Sequence, residues 1–580
     1  MIRKLIKQML AAQTLSALTV SLCLVIDNVM ISRFLGLKAI AAYGLANPIL
    51  LVIGAIGSML AAGVQVACSR SLGSGSQEET NKGYSSAVGL TLGFSLSFVL
   101  LVLLLRNPLT TIMGAGREGE LFDMTRDYLT GFIIGAPASM GALILVPFLQ
   151  MAGQSTLLIV AVLGMTVADV ALDLLNVMVF HGGMFGMGLA SSVSYYIAMV
   201  IAMGYFLSKK CVFSFSFKRI AMKKIRELFV GGVPAVFNMA SSVVLVFILN
   251  KILLAVGGSD AVAAYAVLMS IGNASNCIST GVGGVSLTLS GILYNEEDST
   301  GLKELLKQLV RYAAALGAAM GVLLAVFAPV LVSIFITKEG AVRDLTIQGV
   351  RLFALGLIPC CVNAALKNLY QATERVALTE AISILEGAVL PSLAAFLFSR
   401  FWAVIGVWLY FVAGECLALC CVMLLVWRRN HGVSLTPLPF LLLKKDFGVQ
   451  PENLMETDIR SIQEVTAAAE AAEAFCLRHG QNEKVANHIA LCVEEMASNT
   501  VIHGFDQKGG NHLSIRVQHK GDRWVLRFRD DCRAFDPVHY VPKGEEDALG
   551  IRLVMAMADD VRYTYSLNLN NLSIKLSAKE

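Results

Sequence analysis

The sequence predicts a polytopic α-helical membrane protein of about twelve spans in two six-helix lobes, followed by a C-terminal α/β-sandwich domain. Three observations lead there: the composition, the recurrence of long apolar runs, and an abrupt rise in charge density near residue 446. Of the 580 residues, 56% are hydrophobic and 15% charged, with a mean hydropathy of +0.68. A water-soluble chain carries about 25% charge and about 45–50% apolar residues, so most of this one does not face water. The 46 Lys and Arg and 42 Asp and Glu are unevenly spread, and residues 446–580 hold 15 of the former and 21 of the latter. That stretch is about 27% charged, the soluble norm, against about 12% before it. A single soluble enzyme is excluded.

Apolar stretches near the bilayer-crossing length of about 20 residues fall at 15–31, 45–68, 87–105, 129–151, 157–180 and 187–207. After a basic connection they resume at 233–256, 262–287, 313–336, 352–369, 378–398 and 404–426. The basic residues cluster between the sixth and seventh spans (Lys209, Lys210, Lys218, Arg219, Lys223, Lys224, Arg226), after the twelfth (Arg428, Arg429, Lys444, Lys445) and before the first (Arg3, Lys4, Lys7). With an even number of spans these lie on one side of the bilayer, and basic flanks mark that side as cytoplasmic. Both ends of a multi-pass plasma-membrane protein are therefore expected in the cytoplasm. No small-residue cleavage site closes the first apolar run, so no signal peptide is expected. The domains expected are 1–227 and 228–430 for the two lobes, 431–457 for a linker and 458–580 for the soluble part.

A net charge of +4 is too small to argue for nucleic acid, and no basic patch alternates with aromatics. The twelve cysteines include no C-x-x-C pair, and they read as small buried residues. The environment implied is a lipid bilayer.

The two halves repeat. Residues 26–49 (IDNVMISRFLGLKAIAAYGLANPI) and 248–271 (ILNKILLAVGGSDAVAAYAVLMSI) share eight identities without gaps, among them Asn28 with Asn250, Gly36 with Gly258 and Tyr43 with Tyr265. A repeat with an even number of spans keeps its orientation, giving two lobes related by an axis along the membrane normal that rock around a central cavity. The first half resembles the multidrug and toxic compound extrusion (MATE) transporters. The pieces that carry the resemblance are DNVMISRFLG at 27–36, AAYG at 41–44, NPI at 47–49 and the stretch from Asp173 through the Gly-rich 182–188 to Ser191. It covers about residues 1–430 and implies export of organic, cationic compounds by alternating access, coupled to Na⁺ or H⁺.

A carboxylate in hydrocarbon costs at least about 2.5 kcal/mol, so it is kept for a task or a partner. Asp27, Asp169, Asp173, Glu386 and Glu415 lie within expected spans. Asp169 and Asp173 are four apart, on one helical face, where they suit a shared proton or a hard cation between their oxygens. Asp27 is the natural third member. The resemblance implies a coupling-cation site at Asp27, Asp169, Asp173 and Ser191, with Asp169 standing where the family usually has Asn. Glu386, Glu415 and Asn250 are candidates for the substrate cavity, and Glu386 has Lys367 as an alternative partner. Pro137, Pro234 and Pro391 are expected to kink their spans, and 131–135 and 317–321 to pack helices closely.

Beyond residue 458 the pattern alternates between helices and short strands. Apolar residues at spacings of three and four predict helices at 462–479, 483–503 and 549–558. Alternation predicts strands at 512–519 and 523–530, a hairpin around Lys520-Gly521-Asp522, and further strands at 561–567 and 572–576. Three pieces carry chemistry: EEMASNTVIHGF at 494–505, RDDCRAFDP at 529–537, and 543–553 with Gly550 at a loop-to-helix junction that suits phosphate. They resemble the N, G1 and G2 boxes of the GHKL ATPases, most closely the anti-sigma-factor serine kinases. The resemblance implies that Asn499 holds Mg²⁺ on ATP, Glu495 acts as general base, and Asp530 accepts the adenine amino group. Gly550 and Arg552 would lie at the phosphates. Cys532 and Arg552 replace glycines of the boxes, which leaves ATP hydrolysis or serine-kinase activity open. No G-x-x-x-x-G-K-[ST] sequence occurs, so the tail is not expected to power transport. The expected protein is a cation-coupled exporter whose tail senses nucleotide or docks a cytosolic regulatory protein. The alternatives are a membrane-anchored serine kinase and a lipid-linked substrate flippase.

Overall fold

A computed structural model describes residues 2–208, 211–336, 339–430, 437–444, 447–506, 510–540 and 549–578. Lys209, Lys210, Lys445, residues 431–436 of the expected linker and 541–548 of the third tail segment lie outside the described residues. Each apolar stretch lies on a helix. Among the described residues, nine helices are long and apolar enough to cross a bilayer, and eleven if each of two bent pairs is one span. The remaining expected span is carried by the 29-residue helix Ile2–Met30, which packs against helices of both lobes. The body is thus less regular than twelve straight spans.

The bends have local causes. Glu120–Ile133 and Ala136–Met151 meet at 46°, with Pro137 in the first turn of the second piece as expected. Ala341–Leu355 and Leu357–Ala372 meet at 45°, with Pro359 in the first turn of the second piece, where it has no N–H to offer the Leu355 carbonyl. There Gly356 lies so close to the last span that an added Cβ would fall 2.5 Å from the Phe411 ring. Pro391 follows a π-helical turn at Leu385–Val389, whereas Pro234 runs inside its helix.

The internal repeat reappears in the backbone. Gly36 and Gly258 both take left-handed φ, 88° and 66°, and break their helices at equivalent places, which glycine tolerates without a Cβ clash. Ala39 and Ala261, and Ala42 and Ala264, are fully buried in both lobes. The expected close packing also holds. A Cβ on Gly131 would lie 2.3 Å from the Phe185 carbonyl oxygen, one on Gly188 would lie 2.5 Å from that of Tyr128, and ones on Gly317 and Gly321 each 2.8 Å from a backbone oxygen. Gly188→Val therefore wedges the fourth and sixth spans apart. The expected cost is about 1–3 kcal/mol, read as a lower thermal midpoint of the purified protein.

The tail is a five-stranded antiparallel sheet in the order β1-β2-β3-β5-β4, with β1 Leu454–Ile459, β2 Leu513–Lys520, β3 Arg523–Asp530, β4 Asp560–Ser566 and β5 Leu569–Ser577. Helices Gln463–Arg478, Glu483–Asn499 and Leu549–Met557 cover one face. Leu513, Ile515, Val517, Leu526, Phe528 and Ile574 join that core with Ala472, Ile489 and Val493. Alternation along the strands turns Arg516, Arg527, Arg529 and Lys575 to the other face, which borders the membrane body. Strand β1 straddles the expected linker boundary.

Candidate functional site

Two sites can be built from the expected residues. The first lies inside the N-terminal lobe. Asp27 comes from helix Ile2–Met30, and Asp169 and Asp173 come from helix Ser155–Leu175. The fifth and sixth spans are joined by a tight turn in which Asn176 Oδ1 accepts from Gly182 N–H at 3.1 Å and Nδ2 donates to the Gly183 carbonyl at 3.1 Å. A Cβ on Gly186 would sit 1.8 Å from Asn176 Oδ1, so the Gly-rich sequence serves this latch. It sets the sixth span against the face carrying the aspartates.

The three carboxyls are brought together. Asp27, Asp169 and Asp173 are 7%, 3% and 0% exposed. The Asp27 and Asp169 carboxyls face each other within hydrogen-bond reach, and Asp173 acts electrostatically on both. Asp27 Oδ1, Asp169 Oδ1 and both oxygens of Asp173 are buried with no donor among the described residues. Two facing carboxylates need a shared proton or a cation between them, so these orphaned oxygens fit H⁺ or Na⁺. Ser191 donates to the Met187 carbonyl at 3.4 Å, along its own helix. Ser194, three residues on, donates to the Ser191 carbonyl at 2.8 Å and lies beside Asp169. Sequence reasoning missed Ser194, and its spacing from Ser191 on one helical face is the signal that finds it. Cys23, which touches Thr166 at 3.4 Å, also borders Asp169. Tyr128 and Tyr195 complete the wall, with Tyr43 edge-on to Tyr128 at 5.3 Å.

The second lobe lacks this cluster. Leu249 stands at the repeat position of Asp27 and is fully buried in an apolar cluster with Tyr265 and Trp408. Glu386 pairs with Lys367, whose ammonium also reaches Asn238 Oδ1 at 3.4 Å. Glu415 is buried and accepts from Asn363 Nδ2 at 2.8 Å. Asn250 is half-buried in the seventh span, apart from these contacts.

The second site is in the tail, where the three expected boxes converge. The helix Glu483–Asn499 ends in a π-helical turn, Thr500–Gly504, and Gly504 packs on Cys532 at 3.1 Å from a built Cβ. Asp530 is buried, and its Oδ1 accepts from Asn570 Nδ2 at 2.7 Å and from Cys532 N–H at 3.0 Å. Burial pushes its carboxyl above the ordinary value, and those donors partly offset the shift. Asn570, which the sequence did not single out, holds the whole turn: it also donates to the Arg533 carbonyl at 3.1 Å and accepts from Tyr563 at 2.7 Å.

The end expected to take adenine therefore has a fixed carboxylate. Asn499 Nδ2 donates to the Glu495 carbonyl at 2.8 Å, turning Oδ1 outward to suit Mg²⁺. The phosphate end differs from expectation. Glu495 Oε2 occupies the space where a Gly550 Cβ would be, 1.8 Å away. A carboxylate thus sits where the helix start was expected to receive phosphate. Arg552, two residues on, is exposed.

The sequence matches the MatE family at residues 13–175 and 234–397, once per lobe, and a histidine kinase-like ATPase domain at 460–576. No curated protein matches the chain significantly. Solved structures similar to it include a MATE in complex with MaL6, at 19% identity over 74% of this chain and 96% of that one, TM-score 0.68. An outward-facing multidrug resistance MATE family transporter of the MOP superfamily gives the same figures. A MOP superfamily transporter from Pyrococcus furiosus gives 18%, 76%, 97% and 0.69. At these identities the likeness is one of fold. Matched over more than half its length by one family in two repeats, the chain belongs to the MatE family, as a multi-pass membrane protein with a histidine kinase-like ATPase domain following its helical body.

Proposed function

We propose that the chain is a secondary transporter that expels organic cations across the cytoplasmic membrane by alternating access, driven by entry of Na⁺ or H⁺, with both chain ends on the cytoplasmic side. The observation that carries this is the group of three buried aspartates with orphaned oxygens and no basic partner among the described residues. Neutralising such a group favours a closed, dry pocket, and ionising it favours one open to water or to a cationic solute. Ion binding and solute binding thereby oppose each other at one place. The mismatch between lobes supports a single coupling site, since Leu249 replaces Asp27 in the second repeat.

The tail is proposed to sense nucleotide rather than to hydrolyse it. Asp530 and Asn499 suit adenine and Mg²⁺, while Glu495 lies against Gly550 and must move before phosphate enters. Everted membrane vesicles holding the full chain test the transport reading. Ethidium uptake is expected under an imposed Na⁺ or H⁺ gradient and not in its absence. Uptake under neither gradient would overturn it.

A further inference from the structure

We propose that the C-terminal domain is a clamp across the two lobes, with the β4–β5 hairpin as its wedge, so that the tail-bearing side of the transporter opens only when the domain lets go. The proposal rests on the transport reading for its consequence, but its geometry stands alone.

The hairpin turn is Leu567-Asn568, both residues in left-handed conformation with φ of 58° and 60°. Such two-residue turns ordinarily take Asn-Gly or Asp-Gly, and a leucine there is disfavoured. Contacts with the membrane body hold it. The Leu567 side chain is buried among Leu289, Ile292 and Leu293 of the second lobe, with Leu5 of the first helix beside it. Its N–H donates to the Met151 carbonyl at 2.7 Å, and Asn568 Nδ2 donates to the Gly153 carbonyl at 2.9 Å. Met151 and Gly153 belong to the first lobe. One turn of two residues thus grips both.

The sheet face extends the grip. Arg529 pairs with Glu296, Lys520 with Glu297 and Arg516 with Asp298, all on the loop after the eighth span. Arg562 donates to the Ser74 carbonyl at 3.3 Å, after the second span. The cavity of about 600 Å³ between sheet and body is lined by cations and carboxylates that largely answer one another. That charge balance fits a docking interface better than a ligand site.

The lobes themselves meet at this end. A Cβ on Gly73 would lie 2.3 Å from the Ile292 carbonyl oxygen, and Arg70 pairs with Glu374 at 3.1 Å. Opening this side must separate Met151–Gly153 from Ile292–Asp298, and a single rigid hairpin cannot follow both. Asn570, two residues beyond the turn, is bonded to Asp530. A ligand on Asp530 therefore reaches the wedge through one side chain.

The test uses the full chain in lipid nanodiscs and vesicles. Leu567→Gly removes the wedge while suiting the turn, and Arg529→Glu breaks one ion pair that Glu296→Arg with Arg529→Glu rebuilds. In the single variants, hydrogen exchange at 151–154, 295–298 and 566–570 is expected to rise together, by roughly fivefold for each 1 kcal/mol of docking lost. Ethidium uptake rises alongside, and the paired exchange returns both to parental values. Unchanged exchange at the two body loops would overturn the clamp, as would raised exchange with unchanged uptake in a transporting parent. If the parent takes up no ethidium, the transport reading fails, and the exchange data alone decide whether the hairpin bridges the lobes.

Discussion

Asp27→Asn and Asp173→Asn each reduce gradient-driven efflux to the level of vesicles lacking the protein. The amide keeps the shape of the carboxyl but cannot exchange a proton or supply a full negative charge to Na⁺. Losing one charged contact to the ion costs about 1.5–3 kcal/mol, which at tenfold per 1.4 kcal/mol is roughly 10- to 100-fold in coupled transport. Asp169→Asn is the milder change, because Ser194 beside it still has an amide to meet. Asp344→Asn, on an exposed surface of the second lobe, serves as the control and leaves efflux unchanged. Initial rates of ethidium uptake at equal protein content check the series. Parental rates in Asp27→Asn and Asp173→Asn would remove the coupling site from consideration.

Nucleotide binding by the tail responds in opposite directions at two of its carboxylates. Asp530→Ala deletes the acceptor for the adenine amino group and strands Asn570, so affinity falls by at least roughly tenfold, since an unsatisfied buried donor costs about 1–3 kcal/mol. Glu495→Gln removes the negative charge lying against Gly550, and affinity for Mg-ATP rises by several-fold. Asn499→Ala lowers affinity only when Mg²⁺ is present. Calorimetric titration of the full chain with ATP, with and without Mg²⁺, separates these outcomes. Weaker binding in Glu495→Gln would return that carboxylate to the role of metal-orienting or general-base residue.

Much of this architecture is legible in the sequence because it rests on local rules. The helices follow from apolar run length, the repeat from Gly36 and Gly258 standing at equal offsets, and the hairpin of β2 and β3 from Lys520-Gly521-Asp522. The cluster of Asp169 and Asp173 follows from their spacing of four. What escaped depended on residues far apart in the chain. The close approach of Gly356 to Phe411, which leaves no room for a Cβ, joins residues more than fifty positions apart. Ser194 was passed over for Ser191, because which hydroxyl faces Asp169 is set by the rotation of the sixth span, fixed in turn by the Asn176 latch. Glu495 was assigned a catalytic task from its neighbours in sequence, while its place against Gly550 depends on how two tail helices pack.

The sheet face that meets the body was equally hidden. Arg523, Arg527 and Arg529 alternate along β3 in a way that marks a basic face, but nothing in that pattern names the partner. By itself the sequence determined that this chain is a bilayer-spanning repeat with a soluble nucleotide-type domain, because hydrophobic length and periodicity are properties of contiguous residues. Only the tertiary structure decided that Glu296, Glu297 and Asp298 answer Arg529, Lys520 and Arg516, and that the turn residue Leu567 is buried against the membrane body. Charge pairing and the burial of one leucine between two lobes are set by distances across folded space, which no stretch of chain encodes alone.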